Sequence, residues 1–506
     1  MAAGRRPIHH PLLREVLLER RDFLRAMGAA GVTLGLAACS SGGSDHESSR
    51  PRAADSVQLY DPDRPFWEQG NYVSVTEERT ETALDVTGTI PSSLTGLYVR
   101  NGSNPPLKTA AFWFLGDGMM HGLRIEGGKA AWYRNRYVQT TLHREGKVLT
   151  DYVAPGKDVN QSNVAIAYHA GKLLTTGEVG WPYELATDDL STVGPYDFAG
   201  KLQTWMTAHP KIDPDTGRMH FFGYNFVDPL LTYHVVEPDG RLVHSEPVDI
   251  PAATMIHDFA ITDRDVVFWQ APVMFRLTPE LLASGFPFEW DADGPSQVGV
   301  MPLGGPASEI RWVDVDPFMV FHGFNSHREG DDVVVRVHKQ TSAFGPEGDL
   351  LPSYLYEWRI DTSGPDLSLR EAQVSDVYMD MPTIDRRLLG RPVRHGWCTT
   401  VDGNGPYGFE FAGIDHVDLQ TGEHDRWEPG EMERAGEGFY VPDSASAGEG
   451  EGWVLSFLYD RTVDRSSLGI FDASAVADGP VARIHLPVRV PYGFHGLWIP
   501  DGAQSV

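Results

Sequence analysis

Two cysteines, Cys39 and Cys398, in 506 residues give no disulfide framework, so the fold has to rest on its core. Basic residues are scarce as well: 42 Lys and Arg stand against 70 Asp and Glu, a formal net charge of −28. That balance argues against nucleic acid, whose phosphates require Lys- and Arg-rich faces, and it keeps a surface soluble. The apolar run from Ala26 to Ala38 is too short and too rich in Gly and Ala for a spanning helix. Helix signals are sparse. One short candidate is Thr278–Ala283, with Thr278 as N-cap and Pro279 at the first helical position. No crisp internal repeat, Ser-His-Asp order, P-loop or dinucleotide fingerprint stands in a convincing context.

Apolar material is plentiful: 41% of residues are hydrophobic and 11% aromatic, enough for a substantial core. The N-terminus reads as an address. Arg20-Arg21-Asp22-Phe23-Leu24-Arg25 is a twin-arginine pattern, and Leu36-Ala37-Ala38-Cys39 resembles a lipobox. Residues 1–38 are therefore expected to be a lipoprotein signal peptide, with Cys39 lipidated after cleavage. Residues 39–56, rich in Ser, Gly and charge, read as a flexible tether, and 57–506 as one domain. With Cys39 lipidated, Cys398 has no partner. The expected location is the periplasm or the outer side of the cytoplasmic membrane.

Past the tether, strand-like segments recur, among them Ala130–Gln139, Met219–Tyr224, Leu231–Val236, Asp265–Gln270 and Trp453–Tyr459. Turns such as Glu126-Gly127-Gly128-Lys129 and Pro238-Asp239-Gly240 suit antiparallel hairpins. An all-β fold follows, and the pattern alone leaves sandwich, large barrel and propeller open. Dividing about 440 residues by a loop-rich blade of roughly 60 gives about seven blades, within the usual propeller range.

Of the 19 histidines, four share a setting: His209, His257, His322 and His495 each sit on or just after a short β-type run between apolar neighbours. Alone, any of them is more often a hydrogen-bonded core residue. Imidazole suits iron, copper, zinc or nickel, and four imidazoles could equally close a tetrahedral structural zinc site.

Thr95-Gly96-Leu97-Tyr98-Val99-Arg100-Asn101-Gly102-Ser103-Asn104-Pro105 and Leu115-Gly116-Asp117-Gly118-Met119-Met120-His121-Gly122, with the four histidine contexts in order, resemble the carotenoid cleavage oxygenase family. That family also includes stilbene-cleaving dioxygenases and the retinoid isomerase of the eye. The resemblance runs from about Pro91 to Pro500. It implies a seven-bladed β-propeller with a metal site on the axis, capped by inter-blade loops. It implies one Fe(2+) per chain on His209, His257, His322 and His495, with open positions for O2. Three glutamates behind the histidines belong to the pattern. Glu178 and Glu437 match the first and third, while Asp380 replaces the second, so its contact is expected to be water-bridged or reached by an inward backbone shift.

The implied reaction splits a conjugated C=C bond of a carotenoid or apocarotenoid into two carbonyls. A stilbene-like phenolic substrate and a non-catalytic ligand-binding propeller are the alternatives. Phe324 and Phe494, next to ligand positions, are expected to face a greasy substrate tunnel, whereas His121 reads as structural. The apolar stretch around Phe286 is either a membrane-dipping loop or inter-blade packing.

Overall fold

The middle strands of this chain are mainly apolar and buried on both faces. Met219–Tyr224, Leu231–Val236 and Asp265–Gln270 are buried at every position, whereas the edge strand Leu242–Val248 alternates between half-buried and exposed. Such strands must be covered on both sides, and stacked sheets provide that cover. The computed structural model describes residues 60–502 except 107–111, 152–155, 277, 279–280, 282–285 and 344–350. The expected signal peptide, tether and Cys39 lie outside the described residues.

Seven antiparallel sheets of four to six strands form a seven-bladed β-propeller, with one small extra hairpin. In chain order the leading, innermost strands of blades two to six are Ala165–His169, Lys211–Ile212, Phe259–Ile261, Met319–Glu329 and Met379–Ile384. In the seventh blade Glu433–Ala435 and Phe439–Pro442 share that edge, both pairing with Gly452–Asp460. The first blade is completed by the end of the chain: Gly496–Pro500 pairs with Gly96–Arg100, in register Gly96↔Pro500 to Arg100↔Gly496.

Apolar clusters bridge each neighbouring pair of blades. Ala167 and Leu174 meet Met219 and Phe221 between the second and third. Phe222, Phe259, Trp269 and Trp358 continue the core through the third, fourth and fifth. Leu355 meets Met379 and Cys398, and Trp397 meets Tyr440 and Val454. Leu97, Tyr183 and Leu455 close the circle through the seventh, first and second blades. Cys398 is a buried free thiol within this packing.

The expected turns are present. Gly127, Gly128 and Gly240 take φ of 54°, 74° and 86°, the left-handed region that tight hairpins require. At the expected short helix, the Leu281 N–H donates to Thr278 Oγ1 at 3.3 Å, the cap contact read from the sequence; most of the segment lies outside the described residues. Phe286, Phe288 and Trp290 pack against the core, Phe286 lying 5.4 Å from Phe112 and 5.2 Å from Phe288. No helix among the described residues is long and apolar enough to cross a membrane.

Candidate metal centre

The four histidines come from the innermost strands of four blades. His209, His257 and His495 lie just ahead of Lys211–Ile212, Phe259–Ile261 and Gly496–Pro500, and His322 lies near the start of Met319–Glu329. Innermost strands converge on the axis, so residues at their leading ends meet there. One nitrogen from each ring lies within 4.8 Å of all the others. His209 Nε2 is 2.9 Å from His257 Nε2, and His322 Nε2 is 3.1 Å from His495 Nε2. Two imidazole nitrogens bound at right angles to one ion, each about 2.1 Å from it, are about 3 Å apart.

The blades without a histidine supply carboxylates. Glu178, following Lys172–Thr176 of the second blade, places Oε2 2.9 Å from His257 Nδ1 and accepts the Tyr224 hydroxyl at 3.1 Å. Asp380 of the sixth blade lies 2.7 Å from His322 Nδ1. Glu437 of the seventh lies 2.8 Å from His495 Nδ1 and also accepts the Gly496 N–H. Each of the seven blades thus contributes one side chain. His209 has no carboxylate partner among the described residues.

These contacts decide whether a cation fits. Where Asp380 and Glu437 are both ionised, they accept Nδ1–H of His322 and His495, and both Nε2 atoms then carry bare lone pairs. Burial pushes His322 down to about 4 and His495 to about 3, so both rings are neutral at neutral pH. Two lone pairs facing each other at 3.1 Å repel unless a cation sits between them. The donor set therefore fits a metal ion.

Burial also lowers His209 well below its ordinary value. In His257 burial acts in the same direction, but Glu178, with Asp258 and Asp380, together outweigh it and the net shift is upward. Burial raises Asp380, yet His322 and His338 outweigh it and hold that carboxyl well below the usual range. Glu437 is pushed up to about 8 by burial, against the Gly496 N–H. The ionised form that two N–H donors require is the one a nearby dication favours.

Asp380 is held without a bridging water. Met381 adopts φ of 57°, and the pairing of Met379–Ile384 with its neighbour slips between Asp380 and Thr383. This bulge carries the shorter side chain inward, the second of the two expected solutions. Asp380 also accepts from the Met381 N–H at 2.8 Å and from Ser353 Oγ at 3.2 Å, and lies 3.3 Å from His338 Nδ1. His338 is fully buried, and nothing in its local sequence singles it out.

Glycines let the last ligand reach its place. A Cβ on Gly102 would meet Gly493 Cα at 2.8 Å. At that close approach the Asn101 N–H donates to the His495 carbonyl at 3.0 Å and the Phe494 N–H to the Asn101 carbonyl at 2.9 Å. The Thr95–Pro105 stretch thus cradles His495. His121 is structural, its Nδ1 lying 2.9 Å from the Tyr133 hydroxyl.

Phe494 lies 4.7 Å from Trp113 and 5.7 Å from Phe114, in an aromatic cluster with Phe66, Tyr72, Phe411 and Tyr492. Phe324 does not face the site. It packs with Leu355, Met379, Cys398 and Val417 between the fifth and sixth blades, pressed on Gly396. Register slips between Val320 and Gly323 and between Gly323 and Asn325 turn the strand after His322. The ring beside the histidines is Phe321, 5.5 Å from His257 and 6.2 Å from Phe114.

Residues 72–500 match the family described as retinal pigment epithelial membrane protein. The chain belongs to the carotenoid cleavage oxygenase family. A Mycobacterium tuberculosis protein named carotenoid cleavage oxygenase is 32% identical over 505 residues, covering 88% of this chain and 99% of its own. The isoeugenol monooxygenase of Pseudomonas nitroreducens is 30% identical, covering 82% of this chain and 94% of its own. The crystal structure of Pseudomonas brassicacearum lignostilbene dioxygenase superposes with a TM-score of 0.79 at 30% identity, over 87% of this chain and 99% of that one. As a carotenoid cleavage oxygenase family member the chain is an oxygenase-type enzyme, and the binding-only reading falls away.

Proposed function

We propose that this enzyme is a non-haem Fe(II) dioxygenase that cleaves a conjugated C=C bond of a carotenoid or apocarotenoid, giving two carbonyl products. The observation that carries the reading is the four-histidine cluster with three carboxylates behind it. His209, His257, His322 and His495 would hold the iron through one nitrogen each. Four neutral donors would not cancel its +2 charge, as thiolates would. Ferrous iron held there supplies the redox chemistry by which O2 reacts with an electron-rich alkene. Both oxygen atoms enter the products and the C=C bond provides the electrons, so no external reductant is required.

The chain's own residues do the remaining work. Glu178, Asp380 and Glu437 fix the ring orientations of His257, His322 and His495 through their Nδ1–H groups. Phe321, 5.5 Å from His257, and Phe114 and Phe494 packed in series behind it, put apolar rings beside the histidines, which suits a flat, rigid, apolar substrate. The twin-arginine and lipobox pattern at Arg20–Cys39 supports an exported, lipid-anchored enzyme, placed where membrane-dissolved polyenes are found.

A second substrate class has a specific observation behind it. Relatives at 30% identity are named for isoeugenol and lignostilbene, both arylalkenes. Incubating the iron-loaded protein with an apocarotenal and, separately, with a hydroxystilbene, with carbonyl products identified by mass, decides between them. Labelled oxygen from O2 in both halves supports the dioxygenase reading. Product formed without O2 overturns it.

A further inference from the structure

We infer that Asp258, clamped by Lys211, is a positioning residue of the metal centre, tying together three of the four histidine-bearing segments and replacing the carboxylate that His209 lacks. The inference rests on the reading of the four histidines as ligands. Asp258 is 1% exposed, and a buried carboxylate persists only when paired and hydrogen-bonded. Its Oδ1 lies 2.7 Å from Lys211 Nζ and accepts the Phe259 N–H at 2.8 Å. Its Oδ2 accepts the Gly323 N–H at 2.9 Å.

Each partner adjoins a different ligand. Lys211 is two residues after His209, Asp258 itself follows His257, and Gly323 follows His322. One carboxylate therefore links the leading ends of the innermost strands of the third, fourth and fifth blades. Gly323 makes the approach possible, since a Cβ there would meet the Trp269 ring at 2.9 Å. The remaining ligand, His495, is fixed separately by Glu437 and by its own N–H donated to the Val164 carbonyl at 3.2 Å.

Supports behind metal ligands tune affinity by roughly 10- to 100-fold, and a link between three ligand segments acts on the geometry of the set in the same way. A pair that served the fold alone would change stability and leave the metal's environment as it was. The ion pair Arg328–Asp265, at 2.6 Å between neighbouring blades, is the matched control: Arg328 shares the strand of His322 but lies six residues beyond it, and the pair touches no neighbour of a ligand.

The test uses cobalt(II) as a spectroscopic probe on the metal-stripped full chain. Wild type, Asp258→Asn, Lys211→Met and Asp265→Asn are titrated, with thermal midpoints measured alongside. Expected are cobalt affinities at least tenfold weaker in the Asp258 and Lys211 variants, with a shifted visible d–d spectrum. Asp265→Asn should lose stability yet bind cobalt as wild type does. Wild-type affinity and spectrum in both clamp variants would overturn the inference. So would affinity losses that merely track the thermal midpoint, as in the control. Failure of the wild type to bind cobalt sinks the ligand reading itself. Should Asp258→Asn not fold, Lys211→Met reads the same effect, because it leaves both backbone hydrogen bonds to Asp258 in place.

Discussion

Asp380 reaches His322 Nδ1 at 2.7 Å with a side chain one methylene shorter than those of Glu178 and Glu437, which lie 2.9 and 2.8 Å from their own histidines. The backbone makes up the difference, through the left-handed Met381 and the slipped register beside it. A glutamate here would overreach by about 1.5 Å into the space between His322, His338 and Ser353. Asp380→Glu is therefore expected to weaken metal binding, roughly 10-fold or more, instead of restoring an ideal site. Metal content and affinity of the purified variant check this, and wild-type affinity would refute it.

Phe321 and Phe324, three residues apart, are predicted to separate function from stability. Phe324→Ala empties an inter-blade core and should cost about 3–5 kcal/mol of stability while leaving substrate preference unchanged in whatever folds. Phe321→Ala, beside His257, should raise KM for a long apolar alkene with a smaller loss of stability. Denaturant unfolding and steady-state kinetics on the two variants provide the comparison.

The same pair marks how far the sequence could be read. The histidines, Glu178 and Glu437 could be singled out only through their match to the family's motifs, whereas the all-β class followed from turn chemistry and strand-length apolar runs. Phe324 was misplaced because a position two residues after His322 does not fix the direction of its ring, which two slips in the strand turn into the inter-blade core. His338 and the Asp258–Gly323 bond were invisible for another reason. Their meaning lies in contacts across 42 and 65 residues, which no window of the sequence contains.

Acid should destabilise the fold through buried histidines that are not metal-ligand candidates. His220 contacts the Tyr233 hydroxyl and His234 lies between Thr204 and Ser245, and burial pushes their values down to about 4 and about 3. In the unfolded chain both titrate near the ordinary value of about 6.5. Above that pH both states are neutral and nothing is gained or lost. Between about 6.5 and 4 the unfolded state binds more protons, so stability falls as pH falls, by up to roughly 3 kcal/mol for His220. His220→Gln should flatten this slope in metal-free protein, measured by denaturant unfolding from pH 7 to pH 4.5.

Removing the metal should lower the melting temperature. An ion bound only by the folded state at a thousand times its dissociation constant adds about 4 kcal/mol. Chelator-treated protein is expected to melt several degrees lower and to recover on adding Fe(II) but not Mg(II), which prefers oxygen donors. A melting curve indifferent to chelation would count against a resident ion.

The strand Gly496–Pro500 both seals the circle of blades and delivers His495. A ribosome must therefore pass residue 495 before the last donor exists. Nascent chains can stack blades two to six, yet they cannot assemble the complete cluster. Shortening the C-terminus past His495 would remove a ligand and unlatch the ring at one stroke, so architectural completion and readiness for metal are a single event.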